Sequence, residues 1–88
     1  MYRVYVGIDI SKDSFEAAGL DPKGNELLRD SYSMDAEGFS RLLKMVVQHC
    51  KDVKQILVAM ESTGCYQLNL FSFLTSKGIE AVGSLRAT

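Results

Sequence analysis

From Val4 onward, apolar and other positions alternate. Val4, Val6 and Ile8 fall on one side, and Tyr5, Gly7 and Asp9 on the other. A period of two predicts a β-strand over Tyr2 to Ile8, with Asp9 at its end. Both sides of this strand are largely apolar, so it belongs in the middle of a sheet. Ser14 to Leu20 reads as a second strand. The stretch "LDPKGN", Leu20 to Asn25, is a turn: Asp21 suits the first position, Pro22 fixes φ at the next, and Gly24 tolerates φ > 0. Glu26 to Ser33 is then the returning strand, mixed in polarity as an edge strand can be. These three strands form an antiparallel meander.

The period then changes. Phe39, Leu42, Leu43, Val46, Val47 and Cys50 recur at helical spacing, with Arg41, Lys44 and Gln48 on the opposite side. Asp35 is placed to cap this helix, and Glu37 favours its first turn. "QILVAM", Gln55 to Met60, is a short continuous apolar run, as in a strand buried on both faces and paired in parallel. After "ESTG", the residues Tyr66, Leu70, Phe71, Phe73 and Leu74 mark a second helix over Tyr66 to Lys77, which Gly78 ends. Ile79 to Ser84 makes a fifth strand.

The predicted order is β-β-β-α-β-α-β. Parallel crossovers are right-handed, so the fourth strand lands beside the first. The expectation is an α/β fold with a mixed five-stranded sheet in order 3-2-1-4-5. Both helices lie on one face and the other face is uncovered. Length agrees: 88 residues make one domain, residues 1–88.

Composition narrows the function. Apolar content of 47%, charged content of 24% and a net charge of −1 describe an ordinary soluble domain. They argue against a strongly basic, free-standing nucleic-acid binder. Contact with nucleic acid through a metal site stays open. Cys50 and Cys65 form no metal-spaced motif and read as free thiols of a reducing compartment. No apolar run reaches membrane-spanning length, and no signal peptide opens the chain. The expected location is the cytoplasm.

The chemistry centres on Asp9 and Glu61. Asp9 ends the first strand and Glu61 the fourth, so adjacent parallel strands place both carboxylates at one sheet edge, roughly 4.8 Å apart. Like charges at that distance repel unless a cation sits between them. Magnesium suits such a site, because it often takes one or two carboxylates and completes its shell with water and substrate phosphate. The arrangement fits phosphoryl transfer. Each acid has a plainer reading too. Asp9 can accept backbone hydrogen bonds at the following turn. Glu61 can favour the positive end of the second helix, with Ser62 or Thr63 as its cap. The coincidence of both acids at matched strand ends favours the metal. Lys12 and Tyr66 are weaker candidates for contact with nucleic acid: an exposed lysine and a core tyrosine are their plainer readings. Asp13 reads as a solvated turn residue, and His49 as a surface group at a helix end. There is no GxGxxG, Walker loop or nucleophile elbow.

The stretch "VGIDISKDSFEAA", followed about fifty residues later by "AMESTGCYQLNLFSFLTSKGIEAV", resembles the N-terminal part of the DEDD-type insertion-sequence transposases, the IS110 family. Their domain is RuvC-like, with a ribonuclease H-like fold. The resemblance implies that Asp9 and Glu61 are the first two acids of the DEDD set. It implies magnesium-dependent cleavage and rejoining of DNA, and admits a guide RNA as a second partner. The sequence departs from the family by ending at "GSLRAT", with no positions for the two later acids. The expectation is therefore a domain truncated after its fifth strand, holding magnesium weakly and inactive alone. Two other readings stand beside it. One is an actin-like module binding phosphate or ATP, for which the Ser11–Ser14 hairpin lacks glycine. The other is a non-catalytic fragment that forms a homodimer through the uncovered sheet face.

Overall fold

A computed structural model describes residues 1–62 and 66–85. The chain runs β1 (Val4–Ile10), β2 (Ser14–Leu20), β3 (Glu26–Ser33), α1 (Ala36–His49), β4 (Ile56–Ser62), α2 (Gln67–Ser76) and β5 (Glu80–Leu85). The sheet order is β3-β2-β1-β4-β5. β1 is antiparallel to β2 and parallel to β4, and β5 is parallel to β4. This is the mixed α/β sheet that the hydrophobic pattern predicts.

Two strands run further than the apolar residues alone suggest. β1 begins at Val4 and continues through Asp9 to Ile10, and β4 passes Met60 to end at Ser62. The parallel ladder extends through Asp9↔Glu61 and Ile10↔Ser62. Backbone pairing, which is indifferent to side-chain polarity, carries both acids inside the strands rather than just beyond them.

Local chemistry fixes the connections. In the β2–β3 turn, the Asp21 carboxylate accepts hydrogen bonds from the backbone N–H groups of Lys23 and Asn25 at 2.9 and 2.8 Å. Gly24 takes φ 88° there, a conformation that costs other residues a clash with their own Cβ. Asp35 caps α1 by accepting from the Gly38 N–H at 2.9 Å and from the Ser33 hydroxyl at 2.7 Å. Gly38 has a second role. A Cβ at this position would lie 1.9 Å from the Ser33 carbonyl oxygen, so only glycine lets α1 start so close to the end of β3. α2 stops at Gly78, whose φ is 84°; the Ile79 N–H then reaches back to the Leu74 carbonyl at 3.1 Å.

One face of the sheet and both helices enclose the core. Val4, Val6, Ile8 and Ile10 of β1 pack with Ile56, Val58 and Met60 of β4, with Leu42 and Val46 of α1, and with Leu70 and Leu74 of α2. An aromatic chain joins the parts: Phe15 stacks on Tyr32 with centroids 5.2 Å apart, and Phe39 bridges Phe15 and Phe73 at 6.1 and 5.5 Å. Two side-chain readings are corrected. Ser62 is not a helix cap: it is fully buried inside β4, and α2 begins at Tyr66 without a side-chain cap. Tyr66 is not a core residue: it lies exposed at the start of α2. Cys50 is buried as a free thiol that donates weakly to the Asp52 carbonyl at 3.4 Å. Thr63 and Cys65 lie outside the described residues.

Two outcomes follow from the caps. Gly38→Val drives a side chain into the Ser33 backbone, and thermal melts followed by circular dichroism should show a large loss of stability or no folding. Hydrogen bonds from the Gly38 N–H, then the Ser33 hydroxyl, hold the Asp35 carboxyl below its ordinary pKa of 3.8. A carboxyl depressed on folding stabilises the native state above its unfolded pKa, and that contribution is lost as the pH falls below about 4. Asp35→Asn keeps a good cap but should flatten the acid limb of a stability-versus-pH curve.

Candidate functional site

The strand register resolves the uncovered face into three rows. Nearest the carboxyl end of β1 is an acidic row: Glu16 on β2, Asp9 on β1 and Glu61 on β4, each the direct partner of the next. The second row is small: Ala18, Gly7 and Ala59, flanked by Arg29 on β3 and Val82 on β5. The third is bulky: Leu20, Tyr5 and Leu57, with Glu80 beside them. Here Tyr2 lies edge-on to Tyr5 and donates its hydroxyl to a Glu80 carboxylate oxygen at 2.5 Å. The Glu80 carboxylate, by accepting that hydrogen bond, holds the Tyr2 phenol above its ordinary pKa.

This pattern changes the character of the uncovered face. It is not a broad apolar surface. Its middle is a shallow trough of about 600 Å³ floored by Gly7, Ala18 and Ala59. The acidic row forms one end of the trough, and Arg29 and Val82 lie along it. A smaller hollow of about 280 Å³, lined by Ser11, Ser14, Ser31, Asp9 and Glu16, adjoins the same row.

Asp9 and Glu61 are thus brought together as the sequence spacing suggests, on neighbouring parallel strands and on the solvent side of the sheet. Glu16 was not singled out in the sequence, yet it is Asp9's partner across the antiparallel ladder. Counting outward from the β1–β2 turn would have found it: Ile10 faces Phe15, so Asp9 faces Glu16. Among the described residues no three His, Cys, Asp or Glu side chains are grouped closely enough to hold a metal ion together. The edge therefore offers a two-carboxylate set with Glu16 alongside. One or two carboxylates are a fitting complement for magnesium, which keeps several waters when protein-bound. Lys12 sits exposed in the β1–β2 turn, outside the trough lining. Tyr66 is exposed, and His49 lies in a separate cleft with Arg3, Lys51 and Asp52, away from the acids. Asp13 serves the turn through its backbone, accepting from the Met34 N–H at 3.1 Å.

A transposase family model, that of the DEDD-type IS110 transposases, matches residues 6–84, from within β1 into β5. The chain belongs to this transposase family. No match was found among the curated proteins. Among solved structures, the Pelota protein of Thermoplasma acidophilum is similar over 99% of this chain and 28% of its own, with TM-score 0.64 and 12% identity. The Lmo2764 protein of Listeria monocytogenes covers 93% of this chain and 35% of its own, at TM-score 0.54 and 16% identity. An exopolyphosphatase from Cytophaga hutchinsonii covers 93% and 34%, at TM-score 0.51 and 13% identity. At these identities the likeness is one of fold, the ribonuclease H-like type. The chain spans about a third of the length of these neighbours. Among the described residues no helix is long and apolar enough to cross a membrane.

Asp9→Asn should reduce the gain in thermal midpoint on adding MgCl2, read by circular dichroism melts with and without the salt; an unchanged gain would remove Asp9 from the cation site.

Proposed function

We propose that this chain is the part of a transposase catalytic domain that supplies its first two acids, and that Asp9 and Glu61 hold a magnesium ion against DNA. The observation that carries this reading is the Asp9↔Glu61 register pair on parallel strands. It lies toward the carboxyl ends of the strands, where open α/β sheets gather their ligands. The family match supports DNA as the partner, and a guide RNA belongs to the same proposal.

The residues have separate tasks. Asp9 and Glu61 present oxygen ligands from two rigid strands, so the spacing of their backbones is set by the ladder and not by a loop. Bound there, magnesium would supply Lewis-acid stabilisation of a phosphoryl oxygen and a more acidic bound water. Glu16 keeps the edge strongly negative, which favours a cation over a bare phosphate. With two acids among the described residues to hold it, the ion is bound weakly, and the chain alone does not cut DNA. A cytoplasmic location belongs to the same reading.

The homodimer reading has one observation in its favour: Tyr5, Leu20 and Val82 are exposed on the uncovered face. Sedimentation tests it, and a monomer at high concentration counts against it. The actin-like reading gains nothing comparable, since the Ser11 hydroxyl is engaged with the Ser14 carbonyl at 3.0 Å within its own hairpin.

Calorimetric titration with MgCl2 tests the main proposal. Weak binding is expected, with loss in both Asp9→Asn and Glu61→Gln. Supercoiled plasmid should stay intact under the same conditions. Equal binding by the variants would remove the assigned site, and efficient nicking by the chain alone would overturn the inactivity.

A further inference from the structure

We infer that Tyr2 is a strap that fastens the edge strand β5 to β1 across β4, closed by its hydroxyl on the Glu80 carboxylate. The inference is independent of the DNA reading, because it concerns the end of the uncovered face away from the acids.

β5 needs such a fastening. It lies at the edge of the sheet, hydrogen-bonded to β4 alone among the described strands. Its described side chains also bury little. Glu80 and Val82 are exposed, Gly83 has no side chain, and Ala81 is only partly packed against the core. A strand with few buried apolar contacts opens locally at small cost. Ile79, just before it, is buried, so the weakly held part begins at Glu80.

Tyr2 is placed to hold that strand. The Arg3 N–H donates to the Gln55 carbonyl at 2.7 Å, which carries the β1–β4 contact one step below Val4↔Ile56. Tyr2, one residue further out, lies on the uncovered face. Its ring meets Tyr5 edge-on, with centroids 6.0 Å apart and planes at 71°, and its hydroxyl reaches Glu80. Tyr5 pairs with Leu57, and Leu57 with Glu80. The strap therefore joins strands two spacings apart, roughly 10 Å, with β4 between its ends. The bond links residues 78 apart in sequence. It ties the first residues of the chain, which are ordinarily mobile, to its last described strand. A hydrogen bond to a carboxylate is stronger than a neutral one.

The fastening matters beyond β5. The β4–β5 ladder continues to Glu61↔Ser84 and Ser62↔Leu85. When β5 opens, β4 becomes a sheet edge with unpaired backbone groups alongside Glu61. The strap at one end of the ladder thus governs how often the strand of Glu61 loses its outer neighbour.

Hydrogen–deuterium exchange, read by mass spectrometry on peptides covering residues 79–85, tests this. Tyr2→Phe keeps the ring on Tyr5 and removes the hydroxyl, and Glu80→Ala removes the acceptor. Each should speed exchange in this segment several-fold, while residues 14–20 of β2 keep wild-type protection. The double variant should exchange no faster than the faster single one, because the two substitutions break one bond. Glu80→Gln, which keeps a neutral acceptor, should fall between the wild type and Glu80→Ala. Wild-type rates in Tyr2→Phe would overturn the strap. So would a rise of equal size in both segments, which marks a general loss of stability, and so would additive effects in the double variant.

Discussion

The parallel ladder between β1 and β4 joins Val4↔Ile56 through Ile10↔Ser62, and the rest of the chain is arranged around it. Parallel strands cannot be joined by a tight turn and need a long crossover. The β2–β3 hairpin and α1 occupy the chain between them, and α1 returns it to the start of β4. The ladder buries Val4, Val6, Ile8, Ile56, Val58 and Met60 on one side. On the other side its pleat exposes Asp9 beside Glu61. The same backbone bonds that fix the core thus fix the spacing of the acids. Because register has a period of two, a slip of β1 by one residue would turn Asp9 to the core side and its core residues to the surface.

The two faces of the sheet are consequently unlike. The helical face is filled by large side chains and closed by an aromatic chain from Tyr32 to Phe73. The opposite face grades from bulky to small to acidic within three rows. Small residues in its middle row leave exposed area without leaving much apolar volume to cover. The Tyr2 hydroxyl, held on Glu80, further shields its bulky end.

Much of the architecture was legible along the chain because it is locally encoded. Asp21, Pro22 and Gly24 announce their turn, Asp35 its helix, and Gly78 a helix end. Strand order followed from the handedness of crossovers and needed no contact information. Strand ends were less legible: Asp9 and Glu61 look like terminators because they are charged, whereas the ladder runs on past them. Gly38 was silent for a different reason. Nothing near it in sequence shows that the Ser33 carbonyl occupies the space its Cβ would need.

The sequence by itself determined the alternation of β1, the helical stripe of α1 and the pairing of Asp9 with Glu61, since each depends on periodicity and chain order. The tertiary structure alone decided which residues share the trough. Glu16 and Arg29 join Asp9 there by antiparallel register across two hairpins. That register depends on how each turn closes, including the irregularity between Gly19 and Leu20. It also decided the fate of Ser62 and Tyr66, adjacent to the site in sequence. Ser62 turns to the helical face and is buried, and Tyr66 opens α2 in solvent, because the pleat and the helix start send neighbouring residues in different directions.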